Sequence, residues 1–271
     1  MSIDKIRSYY GFTKMPFSKD ISVSELFGYV GHKEAVARID YLIDSDSIGV
    51  ITGEVGSGKT VALRSAVSSI ETSKYTVIYI SNLSMGKKGI YTHIVTSLGE
   101  KPTFFLSQLM VQTEQLFIRE LTQKNRKIVM ILDEAHLLEA SQLEELRLLS
   151  NSDMDSRSPF SLLLVGQPQL KHKLHLATYQ ALEQRITLKY SMPPMTYEET
   201  RNYVSHHLSI CGRSDTLFSD DALGLIHQSA RGLPRSVNNY CRQSLIATYA
   251  NEGTIVDEKS VKKAIAEQDS E

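Results

Sequence analysis

Residues 50–60 read Val-Ile-Thr-Gly-Glu-Val-Gly-Ser-Gly-Lys-Thr, which contains the pattern G-x-x-x-x-G-K-[ST]. An apolar run at 48–51 precedes the pattern and a helix-forming stretch at 61–70 follows it, as a strand, a loop and a helix would. Glycines let backbone N–H groups curl around a phosphate chain, and the positive end of the next helix points at the same place. The segment therefore predicts a phosphate-binding loop, and a chance glycine-rich turn is the disfavoured alternative.

Each residue of this loop has an expected role. Lys59 is expected to reach the β- and γ-phosphates of a nucleotide, and the Thr60 hydroxyl to ligate Mg²⁺. The predicted nucleotide-binding residues are Gly53, Glu54, Val55, Gly56, Ser57, Gly58, Lys59, Thr60 and Val61.

A second motif follows the apolar run 128–132, which ends in Asp133 and Glu134. Asp133 is expected to hold Mg²⁺ through water, and Glu134 to polarise the water that attacks the γ-phosphate. An acid that stabilises a helix N-terminus is the alternative for Glu134. His136 completes Asp-Glu-Ala-His, a box that names a helicase group, but no other helicase motif accompanies it. A capping role for His136 is equally well supported.

Strand-like and helix-like runs alternate along the first two thirds of the chain. The predicted strands are 48–52, 75–81, 128–133, 161–166 and 186–192, and the predicted helices between them are 59–70, 88–98, 105–124 and 140–150. This alternation predicts an α/β fold with a parallel five-stranded sheet covered by helices on both faces. The ligand site is then expected at the carboxyl ends of the strands, where the phosphate-binding loop also falls.

After Pro193 and Pro194 only helical patterns remain, and four of them predict a small all-α lid domain. The predicted domains are an irregular, aromatic-rich N-terminal arm at 1–30, a nucleotide-binding α/β domain at 31–193 and the helical lid at 194–271.

Three polar residues stand where they can sense or assist the γ-phosphate. Gln167 follows the fourth strand, Arg185 precedes the fifth, and Arg235 opens a lid helix after Gly-Leu-Pro. Arg185 at a subunit edge can enter a neighbour's site as an arginine finger, while Arg235 can reach back to the phosphate of its own subunit. An ordinary loop glutamine and a surface salt bridge are the alternatives for Gln167 and Arg185.

These motifs, in this order and followed by helices, resemble the AAA+ ATPases over essentially the whole chain. Segments at 9–17, 143–151 and 164–170 resemble the ExeA-like (secretion protein A-like) branch more closely, although that branch often has glutamine in place of His136. The resemblance implies ATP and Mg²⁺ as cofactors and assembly into a ring or helical filament, hexameric per turn. It also implies that Arg185 acts in trans and Arg235 as the lid sensor. Residues 31–33 resemble the segment before the first helix that lies near adenine, with Tyr29 or Val30 as the base contact.

Stand-alone members of this branch are similar to transposition helper ATPases of the TniB, MuB and TnsC kind. Those proteins polymerise on DNA with ATP bound and recruit a transposase. Secretion-type members continue into a membrane helix and a cell-wall-binding domain, and because this chain stops at Glu271 we expect the transposition role. A secretion or cell-envelope ATPase, and a switch that binds only protein partners, are the alternatives.

The loop at 81–89 is the candidate contact to double-stranded DNA. Lys87 and Lys88 would place charges against phosphates, and Ser84 would add a hydrogen bond. Repeated along a filament, one such pair per subunit forms a continuous positive track. A solvated lysine pair at a helix start is the alternative.

Composition limits the remaining possibilities. The net charge of −1 makes any DNA contact a local basic patch rather than a property of the whole surface. Cys211 and Cys241 are the only cysteines, so we expect small buried apolar residues in a reducing cytoplasm rather than a disulfide framework. No apolar run approaches the roughly 20 residues that a membrane helix needs, so no membrane contact is expected.

Overall fold

Five parallel strands form one sheet in the order β2-β3-β4-β1-β5. The structure is a computed structural model that describes residues 2–18, 20–151 and 158–269. The strands are β1 (Ile48–Thr52), β2 (Tyr75–Ile80), β3 (Lys127–Leu132), β4 (Phe160–Gly166) and β5 (Ile186–Ser191). Each predicted strand is found within one residue of its expected ends, which confirms the five-stranded parallel sheet.

Twelve α-helices lie in the described part of the chain. They are α1 (Ile3–Tyr10), α2 (Val30–Asp44), α3 (Lys59–Ser69), α4 (Gly86–Ser97), α5 (Leu106–Thr122), α6 (Ala140–Leu149), α7 (Pro168–Leu174), α8 (Gln180–Glu183), α9 (Tyr197–Ser209), α10 (Asp220–Ala230), α11 (Pro234–Ala250) and α12 (Glu258–Asp269). None of the helices within the described ranges is both long and apolar enough to cross a membrane.

The central strands are buried on both faces because their apolar residues run without interruption. In β3, Ile128 and Met130 enter a core that also contains residues of α4 to α7, while Val129 and Ile131 enter a second core with residues of α2 and α3. Successive side chains of a strand point to opposite faces, so a continuous apolar run buries both of them. The helices therefore cover both faces of the sheet, as predicted.

The chain divides into two compact units. The sheet unit comprises residues 34–55 and 59–192, and the helical unit comprises residues 1–33, 56–58 and 193–271. The division into an arm, an α/β domain and a lid stays a prediction. The helical unit contains α1 and α9 to α12, and the Tyr10 hydroxyl on α1 donates to the Leu245 carbonyl on α11 over 2.9 Å.

Two expectations for the N-terminal segment are wrong. The arm is helical rather than irregular at Ile3–Tyr10, because Ile6 and Tyr10 bury one face of a helix that ends at Gly11 in the left-handed conformation. Residues 31–33 lie inside the first turn of α2 rather than before a helix. That helix begins at Val30, where the backbone N–H donates to the Glu199 carboxylate over 2.9 Å.

Candidate nucleotide site

Asp133 stands directly after β3, and both of its carboxylate oxygens accept hydrogen bonds. Its Oδ2 accepts hydrogen bonds from the Tyr79 hydroxyl at 2.9 Å and the Thr60 hydroxyl at 3.2 Å, and its Oδ1 accepts one from the Glu134 backbone N–H at 2.9 Å. Only 5% of Asp133 is exposed. Burial, together with the hydrogen bond to Asp133, raises the pKa of Tyr79, so this hydroxyl remains a neutral donor. The structure thus brings Thr60 and Asp133, the two predicted Mg²⁺ ligands, into direct contact.

Lys59, the first residue of α3, is also buried. Its ammonium donates to the carbonyl oxygens of Gly53 at 2.8 Å and Glu54 at 2.9 Å, so the charge sits against the start of its own loop. The loop start is in turn joined to the end of β4, since the Gly53 N–H donates to the Gly166 carbonyl over 3.3 Å.

Glu134 has an unusual backbone for its residue type. Its φ of 55° and ψ of 35° are left-handed, and it precedes the short 3₁₀ helix Ala135–Leu137. Such a conformation costs an L-residue roughly 1–2 kcal/mol and recurs at functional sites. The Glu134 side chain is 48% exposed, and its Oε2 lies 3.4 Å from His136 Nδ1 without hydrogen-bond geometry. The carboxylate is therefore held at the end of β3 with one side open to solvent.

Gln167 and Arg185 lie at different edges of the sheet. Gln167 follows β4 and precedes α7, and because Thr52 pairs with Gly166, it stands at the edge where the phosphate-binding loop begins. Arg185 precedes β5, at the amino ends of the strands, and its guanidinium lies 3.3 Å from the Ser150 hydroxyl. The structure therefore brings Gln167, but not Arg185, to the edge that carries Asp133.

The helical unit contains the middle of the loop, residues 56–58. The Arg235 N–H, at the start of α11, donates to the Gly56 carbonyl over 3.2 Å. Gly56 has a φ of +83°, and a Cβ there would lie 2.8 Å from the Arg235 Cβ. The Tyr29 hydroxyl donates to the Ser57 carbonyl over 2.5 Å. Ser57 Oγ is buried and has no hydrogen-bond partner within the described residues, so a donor remains for an anion.

The adenine contacts expected on Tyr29 and Val30 remain predictions. Tyr29 is 4% exposed, and its hydroxyl bonds the loop backbone as described. The side chain of Val30 is exposed, while its N–H is bound by Glu199. Burial lowers the pKa of the adjacent His32, which favours the neutral imidazole. Glu199 also forms a capping box with Thr196 at the start of α9, so one carboxylate joins the beginnings of two helices.

The predicted DNA loop leads into α4, and both of its lysines have partners in the chain. Lys87 forms a 2.9 Å ion pair with Glu145, which also accepts a hydrogen bond from Tyr91. The Lys88 ammonium lies 4.2 Å from the ring centroid of Phe104. Ser84 precedes the helix, and its N–H donates to the Asn82 side chain over 3.2 Å. Lys87 is therefore partly neutralised, while Lys88 keeps its full charge beside an exposed aromatic ring.

These residues fit a magnesium nucleotide. Thr60 and Asp133 offer the oxygen donors that Mg²⁺ prefers, and Mg²⁺ commonly retains several waters, which suits a carboxylate that acts through water. A buried lysine at the N-terminus of a helix fits a phosphate chain.

Comparisons with known proteins agree with this geometry. Residues 43–174 match a family described as an AAA domain. The general secretion pathway protein A of Aeromonas hydrophila is 31% identical over 245 residues, which cover 89% of this chain and 44% of that protein. The chain thus spans less than half the length of this relative.

Solved structures share the fold at low sequence identity. Cdc6p from Pyrobaculum aerophilum has a TM-score of 0.70 at 19% identity, covering 92% of this chain and 69% of its own. The Aeropyrum pernix ORC1 protein, solved in complex with DNA, has a TM-score of 0.65 at 16% identity, covering 93% and 68%. The five-stranded parallel sheet, the phosphate-binding loop and these matches show that the chain has the P-loop AAA+ fold.

Proposed function

We propose that this protein is a Mg²⁺-dependent ATPase that works as a nucleotide-controlled switch. The contact between the Thr60 hydroxyl and the Asp133 carboxylate carries the proposal, because it joins the phosphate-binding loop to the acid that would hold the cation. Bound magnesium would supply charge neutralisation at the β- and γ-phosphates.

The protein's own groups divide the remaining work. Lys59 would exchange its carbonyl acceptors for phosphate oxygens, and phosphate is the stronger acceptor because both partners are then charged. Glu134 would accept a proton from the attacking water, and Gln167 would orient that water from the neighbouring strand end. Arg185 is proposed to complete the site of a neighbouring copy in a ring or filament.

The helical unit would respond to the nucleotide through Arg235. Its backbone N–H, in the first turn of α11, donates to the Gly56 carbonyl in the middle of the loop. A rearrangement of residues 56–58 would therefore move the oxygen to which this turn is bonded. A guanidinium at that position would add a contact to the γ-phosphate that is lost on hydrolysis.

Glu134→Gln tests the catalytic assignment. The amide cannot accept the proton, so we expect ATP affinity to stay within about twofold while turnover falls by about 10²–10⁴. Glu144→Gln is the matched control, because Glu144 is a partly exposed acid that pairs with Arg147 on α6. Turnover by Glu134→Gln equal to that of the control would remove Glu134 from the reaction.

For the output of the switch, we propose that ATP-bound oligomers bind duplex DNA and recruit a transposase, as a target selector. Support comes from Lys88, whose charge lies beside the exposed ring of Phe104 on the sheet unit, and Phe104 in turn packs against exposed Phe105. A lysine ammonium at the protein surface can contact the phosphates of a duplex. The ORC1 structure with DNA is one case in which this fold was solved on a duplex.

The DNA proposal is tested by sedimentation of the protein with duplex DNA and a non-hydrolysable ATP analogue. Lys88→Glu is the informative variant, since reversal of Lys87 would also place an acid beside Glu145. We expect at least tenfold weaker binding and a salt dependence reduced by about one phosphate contact per subunit. Lys5→Glu is the control, because Lys5 is an exposed lysine of helix α1 in the other unit.

The second candidate output is a protein partner in a secretion pathway. The Aeromonas hydrophila relative favours it, since that protein is named for general secretion. If ATP-bound oligomers form but never retain DNA, this candidate replaces target selection while the ATPase proposal stands.

A further inference from the structure

Tyr79 is the penultimate residue of the edge strand β2, and no motif includes it. We propose that Tyr79 is a positioning residue that fixes the Asp133 carboxylate for magnesium. This inference rests on the ATPase proposed above and assigns to one more side chain a part in its metal site.

Strand pairing places Tyr79 for this role. In the parallel pairing of β2 with β3, Tyr79 lies opposite Ile131, and the Asp133 N–H donates to the Ile80 carbonyl over 2.9 Å. His93 Nε2 lies 3.0 Å from the Tyr79 carbonyl and anchors the strand from α4. The hydroxyl therefore reaches Asp133 from a backbone that is held on both sides.

The two hydroxyls that donate to Asp133 Oδ2 differ in whether they can also bind a cation. Thr60 can donate its proton to Asp133 and still offer an oxygen lone pair to a cation, which is the arrangement expected at the start of α3. Tyr79 approaches Asp133 from strand β2. Together with Thr60 and Val61 it borders a pocket of about 330 Å³. It restrains rotation of the carboxylate rather than contacting the cation.

The competing explanation is that the hydroxyl only fastens the edge strand. The same strand contains a matched control, because the Tyr75 hydroxyl donates to Asp44 Oδ1 over the same 2.9 Å at the opposite end. Tyr75→Phe and Tyr79→Phe each delete one tyrosine-to-aspartate hydrogen bond of β2. Only the second deletion touches Asp133.

The measurement is calorimetric binding of a non-hydrolysable ATP analogue with Mg²⁺ and with EDTA. The ratio of the two affinities isolates the contribution of the metal without turnover. We expect Tyr79→Phe to reduce this ratio about tenfold, to leave the EDTA affinity unchanged and to raise the Mg²⁺ concentration for half-maximal turnover with little change in kcat. The loss of one hydrogen bond to a charged group changes an equilibrium constant by about tenfold or more. Tyr75→Phe is expected to match the wild type.

Three results would overturn the inference: a Tyr79→Phe ratio equal to that of Tyr75→Phe, equal losses with Mg²⁺ and EDTA, or a fall in kcat at saturating Mg²⁺ with an unchanged ratio. Failure of the ATPase proposal is distinguishable from these, because the wild-type protein itself would then lack ATP turnover, a gain in affinity from Mg²⁺, or both.

Discussion

Replacing Gly232 with alanine should destabilise the helical unit more than any ordinary surface change. Gly232 has a φ of +68° and follows Arg231, which is itself left-handed at 51°. A Cβ at Gly232 would lie 2.2 Å from the Met195 carbonyl oxygen, and the Met195 N–H donates to the Gly232 carbonyl over 2.9 Å. The obstacle is backbone, so no side-chain rotation relieves it.

The magnitude follows from these contacts. A left-handed alanine costs roughly 1–2 kcal/mol, and loss of the Met195 hydrogen bond costs about 1 kcal/mol. We therefore expect the free energy of unfolding of the helical unit to fall by about 2–3 kcal/mol, which is about 10²-fold in the equilibrium constant. Gly224→Ala is the control of opposite sign: Gly224 lies within α10 with open space around it, and alanine there should add about 1 kcal/mol.

The rate of cysteine labelling measures the opening of the helical unit specifically. Cys211 and Cys241, the only cysteines of the chain, are both buried in the helical unit. When opening is faster than labelling, the labelling rate follows the open population. Gly232→Ala should label about 10²-fold faster than wild type and Gly224→Ala about fivefold slower. Equal rates for the two variants would refute the assignment of Gly232 as a backbone constraint.

Two further predictions concern a buried histidine and the arginine finger. Burial lowers the pKa of His207, which packs against Phe17 and Tyr203, to about 4. Because the unfolded state takes up the proton first, folding stability should fall by up to about 3 kcal/mol as pH drops from about 6.5 to 4; urea titrations of His207→Gln should lack this component, and identical pH profiles would contradict it. Arg185→Ala subunits mixed with Lys59→Ala subunits should regain ATP turnover if Arg185 acts on a neighbour, as a finger contributes roughly 10³–10⁵ in rate; no recovery would indicate action within one subunit.

Local sequence patterns were sufficient for the sheet and the phosphate-binding loop. The central strands need mainly apolar runs, and the ends of all five strands were visible within one residue. Thr60 and Asp133 were expected near one cation because parallel strands bring their carboxyl ends to one edge, but the hydrogen bond between them was not expected. The helix Ile3–Tyr10 was missed although its signals were present: Asp4 lies in the first turn and Gly11 follows the last.

Local sequence patterns could not predict contacts between residues that are distant in the sequence. Tyr79 precedes Asp133 by 54 positions, and only the pairing of β2 with β3 brings its hydroxyl to the carboxylate. From the sequence, Lys87 and Lys88 were expected to offer the same positive charge to DNA. Glu145, which neutralises Lys87 but not Lys88, lies on α6 and is brought close by packing of helices.

The Asp133 carboxylate and the Lys59 ammonium differ in how firmly their hydrogen bonds hold them, and this difference suits the proposed reaction. Asp133 accepts from two side-chain hydroxyls and one backbone N–H, so its orientation is fixed before a cation arrives. Lys59 donates to neutral carbonyls at the start of its own loop, and phosphate oxygens are stronger acceptors for its ammonium. Nucleotide binding should therefore move the lysine and leave the acid in place. A preorganised acid costs no reorganisation when charge develops at the γ-phosphate, whereas the lysine can exchange acceptors as the nucleotide enters and leaves.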